Sequence, residues 1–153
     1  MESLRSSGDF RELLSLFNDE GVRYLIIGGF ALAHYGRPRY TKDLDVWVDP
    51  AGENPGRVFR ALARFGASLG GINEADFCDP DCVFQIGTEP IRVDVLNDIS
   101  GVVFGDAWEA RQRSFYADVP VFVISRDDYI ANKRASGRPS DLRDVAALLE
   151  DEA

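Results

Sequence analysis

Three aspartates in two segments with the alternating pattern of β-strands could together hold a metal ion. Residues 43–48, DLDVWV, alternate in the strand period, so Asp43 and Asp45 share one face and Leu44 points to the other. Asp94 stands in a second such segment, IRVDVL, whose valines supply the opposite, apolar face. If the two strands are neighbours, the three carboxylates converge on one face of a sheet.

Like-charge repulsion opposes this convergence unless the pKa values of the carboxyl groups rise or a divalent cation binds. Mg²⁺ prefers oxygen ligands and keeps positions for water and substrate phosphates, as nucleotidyl transfer requires. The sequence therefore predicts a magnesium site at Asp43, Asp45 and Asp94. The alternative is a set of solvated acids at a strand edge, which explains an isolated Asp-x-Asp.

A glycine pair separates a predicted strand from a predicted helix. Residues 22–27 form an apolar run typical of a strand, Gly28 and Gly29 follow, and residues 30–35 predict a short helix. Backbone N–H groups at such a turn can contact phosphate oxygens, because glycine lets a triphosphate approach closely. A tight turn that needs positive φ is the alternative explanation of the pair taken alone.

Basic residues stand in two places from which they could flank one cleft. They are Arg37, Arg39 and Lys42 before the acidic strand, and Lys133, Arg134, Arg138 and Arg143 near the C-terminus. They could attract a triphosphate or an RNA end locally. Surface ion pairs with the 26 acidic residues explain them equally well.

The remaining pattern predicts one mixed α/β core. Helices are expected over residues 10–17, 30–35, 58–65, 127–135 and 141–149, with Ser125 and Asp128 as a capping box. Strands are expected over residues 22–27, 43–48, 83–86 and 91–96, and residues 114–124 as one strand region bent near Asp118. Residues 72–82 are expected to be irregular.

Composition limits the classes of function. A chain of 153 residues with 45% hydrophobic residues predicts a single folded domain. A net charge of −9 argues against nonspecific binding to DNA or anionic lipid. The absence of a secretory signal pattern and of a long apolar stretch predicts a cytoplasmic protein without a membrane segment. Cys78 and Cys82 are expected to be ordinary reduced thiols.

These motifs together resemble the DNA polymerase β-like nucleotidyltransferase superfamily. Its signature is a Gly-Gly or Gly-Ser turn, a short spacer, an acid-x-acid strand and a later third acid; here these are Gly28-Gly29, thirteen residues, Asp43-Leu44-Asp45 and Asp94. IIGGFALAHYGRPRYTKDLDVWV and ISRDDYIANKRASGRPSDLRDVAAL are similar to small bacterial nucleotidyltransferase-like proteins related to abortive-infection (type IV toxin–antitoxin) toxins. The resemblance covers residues 20–150.

The resemblance implies a fold. It is an α/β (α+β) domain with a mixed, mainly antiparallel nucleotidyltransferase-type sheet of about five strands packed with helices. A single domain is expected over residues 1–153, with a core at about 20–125 and C-terminal helices at about 126–150.

The resemblance also implies roles for individual residues. Asp43 and Asp45 would be the metal-binding pair, and Asp94 a third ligand that helps to activate the acceptor hydroxyl. Nucleotide-binding residues would be Gly28, Gly29, Lys42, Lys133 and Asp144, with Asp141 as a second candidate for the aspartate, and Lys133 would also serve catalysis. Gly29 stands where many members have serine, so one hydroxyl contact to phosphate is lacking.

The functional hypothesis is a Mg²⁺-dependent nucleotidyltransferase that moves NMP from an NTP to a hydroxyl. The acceptor could be an RNA end, a protein or a small molecule, and a toxin–antitoxin relation would add a cognate partner protein. The alternative is a noncatalytic nucleotide-binding or protein-interaction module that keeps the fold.

Overall fold

A computed structural model describes residues 7–36, 43–88 and 91–150. Its helices are α1 (Ser7–Asp19), α2 (Gly28–His34), α3 (Asn54–Phe65), α4 (Phe104–Glu109), α5 (Arg126–Ser136) and α6 (Pro139–Glu150), with a 3-10 helix at Glu74–Cys78. Its strands are β1 (Tyr24–Ile27), β2 (Asp43–Val48), β3 (Phe84–Thr88), β4 (Ile91–Leu96), β5 (Gln112–Tyr116) and β6 (Val119–Val123). Among the described helices none is both long and apolar enough to cross a bilayer.

The strands form one mixed sheet in the order β3-β4-β2-β1-β6-β5. The pairs β1–β2, β3–β4 and β5–β6 are antiparallel, whereas β2–β4 and β1–β6 are parallel. The predicted fold class, a mixed and mainly antiparallel sheet packed with helices in a single domain, is confirmed. The two parallel pairs matter for the site, because they bring segments distant in sequence side by side.

The core lies where the central strands meet the helices. All four residues of β1, YLII, are buried because the sheet continues on both sides of this strand and helices pack against it. The predicted apolar stripe of α1, which is Phe10, Leu13, Leu14 and Phe17, is at most 3% exposed. The helical period in the sequence therefore identified a buried face correctly.

The largest departure from expectation is the hairpin of β5 and β6. A single bent strand was expected over residues 114–124, but the chain reverses at Ala117, which has φ of 53°. Asp118 follows this turn, and its carboxylate accepts two hydrogen bonds from the Arg11 guanidinium, at 2.5 and 2.7 Å. The expectation of one strand is wrong because alanine rarely adopts positive φ and so gives no local turn signal, and β5 supplies a sixth strand.

The ends of several elements also shift. Helix α2 begins at Gly28 rather than at residue 30, so the glycine pair is its first turn. The capping of α5 is confirmed in its main contact, because the Ser125 hydroxyl accepts a hydrogen bond from the Asp128 backbone N–H at 3.1 Å. Strand β3 continues to Thr88, beyond the expected end at residue 86.

A buried amide ties the start of β1 to the segment after β2. The Asn54 side chain is buried; its Oδ1 accepts from Arg23 N at 2.7 Å, and its Nδ2 donates to the carbonyls of Arg23 at 3.1 Å and Asp49 at 2.8 Å. These bonds satisfy backbone groups at the end of two central strands, which water would otherwise have to reach.

We expect Asn54→Ala to lower the free energy of unfolding by about 1–3 kcal/mol, because the Arg23 N–H and the Asp49 carbonyl lose the partner that the amide supplies. Urea denaturation followed by circular dichroism measures this change. The matched control is Gln85→Ala, which removes an exposed amide from β3 and should change stability by less than about 0.5 kcal/mol. Equal effects of the two substitutions would contradict the structural role of Asn54.

Candidate active site

The register of the parallel pair β2–β4 sets the geometry of the site. Asp45 lies directly opposite Asp94, and Asp43 lies opposite Arg92. On the other side of β2, Asp45 pairs with Ile27, the last residue before Gly28. The structure thus brings the three predicted carboxylates onto one face, at the strand ends where β1 turns into α2.

These carboxylates line a cleft of about 420 Å³ between the sheet and the C-terminal helices. The cleft is also lined by Gly28, Arg92, Ser100, Asn132, Lys133 and Asp141. A larger groove of about 560 Å³ lies beside α3 and includes Arg57 and Glu74. The smaller cleft is the candidate site, because it holds the three predicted carboxylates together with the Gly28 turn and Lys133.

Asp45 has a raised pKa, because it is buried beside the other two carboxylates of the cluster. Burial, followed by the charges of Asp94 and Asp43, raises its pKa to about 6, although the charges of Lys133 and Arg92 oppose the shift. Burial is the larger cause of this shift, and repulsion from the two neighbouring carboxylates adds to it. A cation at this face would relieve that repulsion.

Arg92 lies between two of the three carboxylates. Its guanidinium is 3.5 Å from Asp43 Oδ2, 3.1 Å from Asp94 Oδ1 and 3.3 Å from Asp94 Oδ2. Sequence reasoning assigned Arg92 no role, although its position two residues before Asp94 places it on the same face. That spacing was the only signal that could have found it.

Gly28 approaches the cluster from β1. Its φ is +71°, and a Cβ added there would collide with the Asp45 carboxylate, only 3.2 Å from its Cγ. Glycine is therefore needed for two reasons, the left-handed backbone and the space that Asp45 occupies. Gly29 follows as the second residue of α2.

Lys133 is held at the cleft by an aspartate. Its Nζ lies 3.1 Å from Asp141 Oδ1, and both side chains are largely buried, with 15% and 5% of their surface exposed. Asp141 Oδ2 also accepts hydrogen bonds from the Ser136 hydroxyl and from Arg138 Nε, the latter at 2.8 Å. Left-handed Gly137 turns the chain between α5 and α6, so that these groups face one another.

The structure thus distinguishes between the two aspartates predicted near Lys133. Asp141 lines the cleft and contacts Lys133, whereas Asp144 is half-buried one turn further along α6, apart from the residues that line the cleft. Of the basic groups, Arg138 lines the cleft, and Arg134 and Arg143 are exposed. Lys42, Arg37 and Arg39 lie outside the described residues.

The fit of a metal ion depends on Arg92. The donor set of three carboxylates on adjacent strands suits a hard cation such as Mg²⁺. In the described part of the chain, however, no three His, Cys, Asp or Glu side chains are arranged to hold a metal ion as they stand. The donors fit in chemical type and share one face, but they must rearrange to bind a cation, and the guanidinium between Asp43 and Asp94 must move before a cation can take its place.

A mixed sheet with a glycine turn and paired acidic strands defines the nucleotidyltransferase type of fold. The nucleotidyltransferases of unknown function designated DUF6036 match residues 9–149, and the chain belongs to this family. No curated protein matches the chain.

Two solved structures share the fold. The lincosamide antibiotic adenylyltransferase LnuA, with lincomycin bound, superimposes with a TM-score of 0.60 at 16% identity, over 94% of this chain and 96% of its own. The Thermotoga maritima protein TM1012, a proposed nucleotidyltransferase, gives 0.61 at 15% identity, over 93% and 91%. A nucleotidyltransferase family and fold are confirmed, while the DNA polymerase β-like superfamily and the relation to toxins stay predictions.

We expect Gly28→Ala to lower the free energy of unfolding by about 2–4 kcal/mol, since it combines an unfavourable φ with a collision against Asp45. Gly21→Ala is the matched control, because Gly21 has φ of +70° and nothing within 4 Å of the added Cβ. It should lower stability by only about 1–2 kcal/mol.

Adding Asp45→Ala to each variant isolates the collision. In the Asp45→Ala background, Gly28→Ala should lower the free energy of unfolding by no more than Gly21→Ala does. A double-mutant cycle in urea measures this difference. Equal stability losses from Gly28→Ala and Gly21→Ala, with Asp45 present as well as with Asp45→Ala, would contradict the close approach of Gly28 to Asp45.

A further expectation concerns acid sensitivity at Asp141. Burial favours the protonated form, but hydrogen bonds from Ser136, Arg138 and Lys133 outweigh it and lower the pKa of Asp141 from 3.8 to about 2. Because the folded-state pKa is depressed, the ionised carboxylate stabilises the fold above about pH 4, and this contribution is lost as the pH falls toward 2.

Asp141→Asn should therefore lower the free energy of unfolding by about 2 kcal/mol at pH 7 and by progressively less between pH 4 and 2.5. Denaturant titrations across this range measure the difference. Asp81→Asn, in an exposed loop, serves as the charge-matched control and should show no such dependence. A constant difference between Asp141→Asn and the unsubstituted protein across the range would count against the assignment.

Proposed function

We propose that this protein is a Mg²⁺-dependent nucleotidyltransferase that transfers NMP from an NTP to a hydroxyl of a small-molecule acceptor. The observation that carries the proposal is the β2–β4 register, which sets Asp45 beside Asp94 with Asp43 on the same face, next to Gly28 and Lys133. The family and the two structural neighbours support nucleotidyl transfer in general. The NTP donor places the reaction in the cytoplasm.

The reaction assigns a role to each element of the cleft. The acceptor oxygen forms a bond to the α-phosphorus, the bond to pyrophosphate breaks, and its electron pair leaves with pyrophosphate. Mg²⁺ held by Asp43, Asp45 and Asp94 would neutralise phosphate charge and favour ionisation of the attacking hydroxyl. Asp94 accepts the proton of the acceptor hydroxyl, since it lines the cleft within β4, directly opposite Asp45.

The donor nucleotide is bound by backbone and by charge. The turn at Gly28 and Gly29 offers N–H groups without side chains in the way. Lys133 supplies a point charge for the triphosphate, and its ion pair with Asp141 fixes the ammonium group at the cleft. Lys42 and Asp144 are the further nucleotide-binding residues that we propose from the family resemblance.

A small acceptor is favoured over RNA or protein for two reasons. LnuA is an adenylyltransferase that acts on lincosamide antibiotics, and this chain covers 96% of it, so a domain of this size suffices for a small acceptor there. The net charge of −9 also disfavours a broad RNA-binding surface. RNA ends and proteins are therefore tested beside small molecules as alternative acceptors in the experiment described below.

One observation favours the second candidate function, a noncatalytic module. Arg92 pairs with Asp43 and Asp94, so this cluster is partly neutralised by the protein itself. Such a protein would bind a nucleotide, or a cognate partner of the toxin–antitoxin kind, without turnover. The persistence of all three carboxylates in one register argues for the enzyme instead.

The test is transfer of label from each α-³²P-NTP with Mg²⁺ to a panel of lincosamides and aminoglycosides, total RNA, and protein. We expect labelled small-molecule product, reduced at least about a hundredfold by Asp45→Asn because the cluster loses a central carboxylate. Asp106→Asn, exposed on α4, is the matched control and should retain full activity.

Circular dichroism and thermal melting show whether each variant is folded. Label found only in RNA or only in protein would show that the acceptor is not a small molecule. The assignment as a nucleotidyltransferase would still hold. No label with any donor, or label that survives Asp45→Asn in a folded protein, would contradict the proposed site. In the first of these cases the noncatalytic module becomes the better description.

A further inference from the structure

Arg92 occupies a position in the cleft that neither the family signature nor the proposed reaction explains. Parallel pairing sets its Cα opposite Asp43, and the strand period puts its side chain on the face of Asp94. The guanidinium consequently reaches both carboxylates, at 3.5 Å from Asp43 Oδ2 and 3.1 Å from Asp94 Oδ1. It bridges the two strands that carry the acidic cluster.

The oxygens that Arg92 contacts are those that a divalent cation would need. Asp43 and Asp94 are two of three oxygen donors on this face, and both face the guanidinium. A guanidinium and Mg²⁺ cannot hold the same oxygens at once, because each requires direct contact and their charges repel. Binding of a cation is therefore an exchange, in which one positive group replaces another.

Other cations near the cluster are already engaged. Lys133 Nζ lies 3.1 Å from Asp141, and Arg138 Nε donates to the same carboxylate at 2.8 Å. Arg92 forms direct ion pairs with both Asp43 and Asp94. Its side chain is 29% exposed and lines the cleft, so the guanidinium can turn toward solvent without disturbing the core.

We propose that Arg92 is an intramolecular counter-ion that a divalent cation must displace, and that Arg92 thereby sets how tightly the cleft binds Mg²⁺. The inference rests on the proposed function, because it takes Asp43, Asp45 and Asp94 as the metal ligands. In this scheme the Arg92 guanidinium stabilises the acidic cluster when the cation concentration is low. A divalent cation binds only when its concentration is high enough to displace the guanidinium. It is a positioning residue for the metal site and not a ligand.

The experiment measures metal binding directly and without nucleotide. Free Mn²⁺ is followed by electron paramagnetic resonance during titration of the protein, and Mg²⁺ is then added as competitor. We expect Arg92→Gln to bind Mn²⁺ about tenfold tighter or more, since a unit positive charge leaves the site. Arg92→Lys, which retains the charge, should stay within about threefold of the unsubstituted protein.

Two controls separate this inference from the proposed function. Arg113→Gln removes the same charge from exposed β5 and should leave Mn²⁺ affinity unchanged. Asp45→Asn should abolish the tight Mn²⁺ site in every background. If Arg92→Gln binds like the unsubstituted protein while Asp45→Asn abolishes binding, the counter-ion role is wrong and the metal site stands. If Asp45→Asn changes nothing, the metal site is wrong and the role of Arg92 falls with it.

Thermal melting supplies a second readout. Arg92→Gln should melt at a lower temperature than Arg113→Gln in chelator and gain more from added Mg²⁺, because its carboxylates lack their internal counter-ion. If Arg92→Gln does not fold, the proposal can still be tested on the unsubstituted protein. The ¹⁵N-labelled Nε–H signal of Arg92 should shift on saturation with Mg²⁺, and an unmoved signal at saturation would overturn the proposal.

Discussion

The parallel pairing of β2 with β4 is the constraint on which the site depends, because it forces Asp45 and Asp94 into adjacent positions. Two carboxylates side by side, with a third on the same face, are unfavourable in a partly buried place. These carboxylates nevertheless lie on two interior strands of the sheet, β2 and β4. The apolar faces of the same strands make the register hard to change, because a slip by one residue would turn Leu44 and Val93 out of the core.

The surrounding elements can be understood as responses to this concentration of charge. Arg92 bridges two of the carboxylates, while burial and the charges of Asp94 and Asp43 still raise the pKa of Asp45. Gly28 leaves room for the Asp45 carboxylate because it has no Cβ. Asp141 pairs with Lys133 and Arg138 in the same cleft, and the charge of Lys133 acts on Asp45.

Local pattern was enough to predict the acidic face but not its counter-ions. The strands at residues 43–48 and 91–96 have the expected bounds, because a period of two and β-branched residues specify them locally. Arg92 was missed although it stands two residues before Asp94 on the same face, because its pairing with Asp43 depends on the neighbouring strand. The hairpin of β5 and β6 was missed because its turn places Ala117 at positive φ, and alanine is not a local turn signal.

The balance of charge in the cleft has a consequence for its substrate. Among the described residues that line it, five carboxylates (Asp43, Asp45, Asp94, Asp98 and Asp141) face three cations (Arg92, Lys133 and Arg138). Each cation is already paired with a carboxylate, so a free triphosphate would meet net negative charge and no unengaged positive group among them. In the proposed reaction, a triphosphate that arrives with a divalent cation would reverse this balance, because the cation would take the place of Arg92 and the released guanidinium could pair with phosphate. The proposed metal site and the proposed nucleotide site would then be coupled by the ion pairs of the cleft.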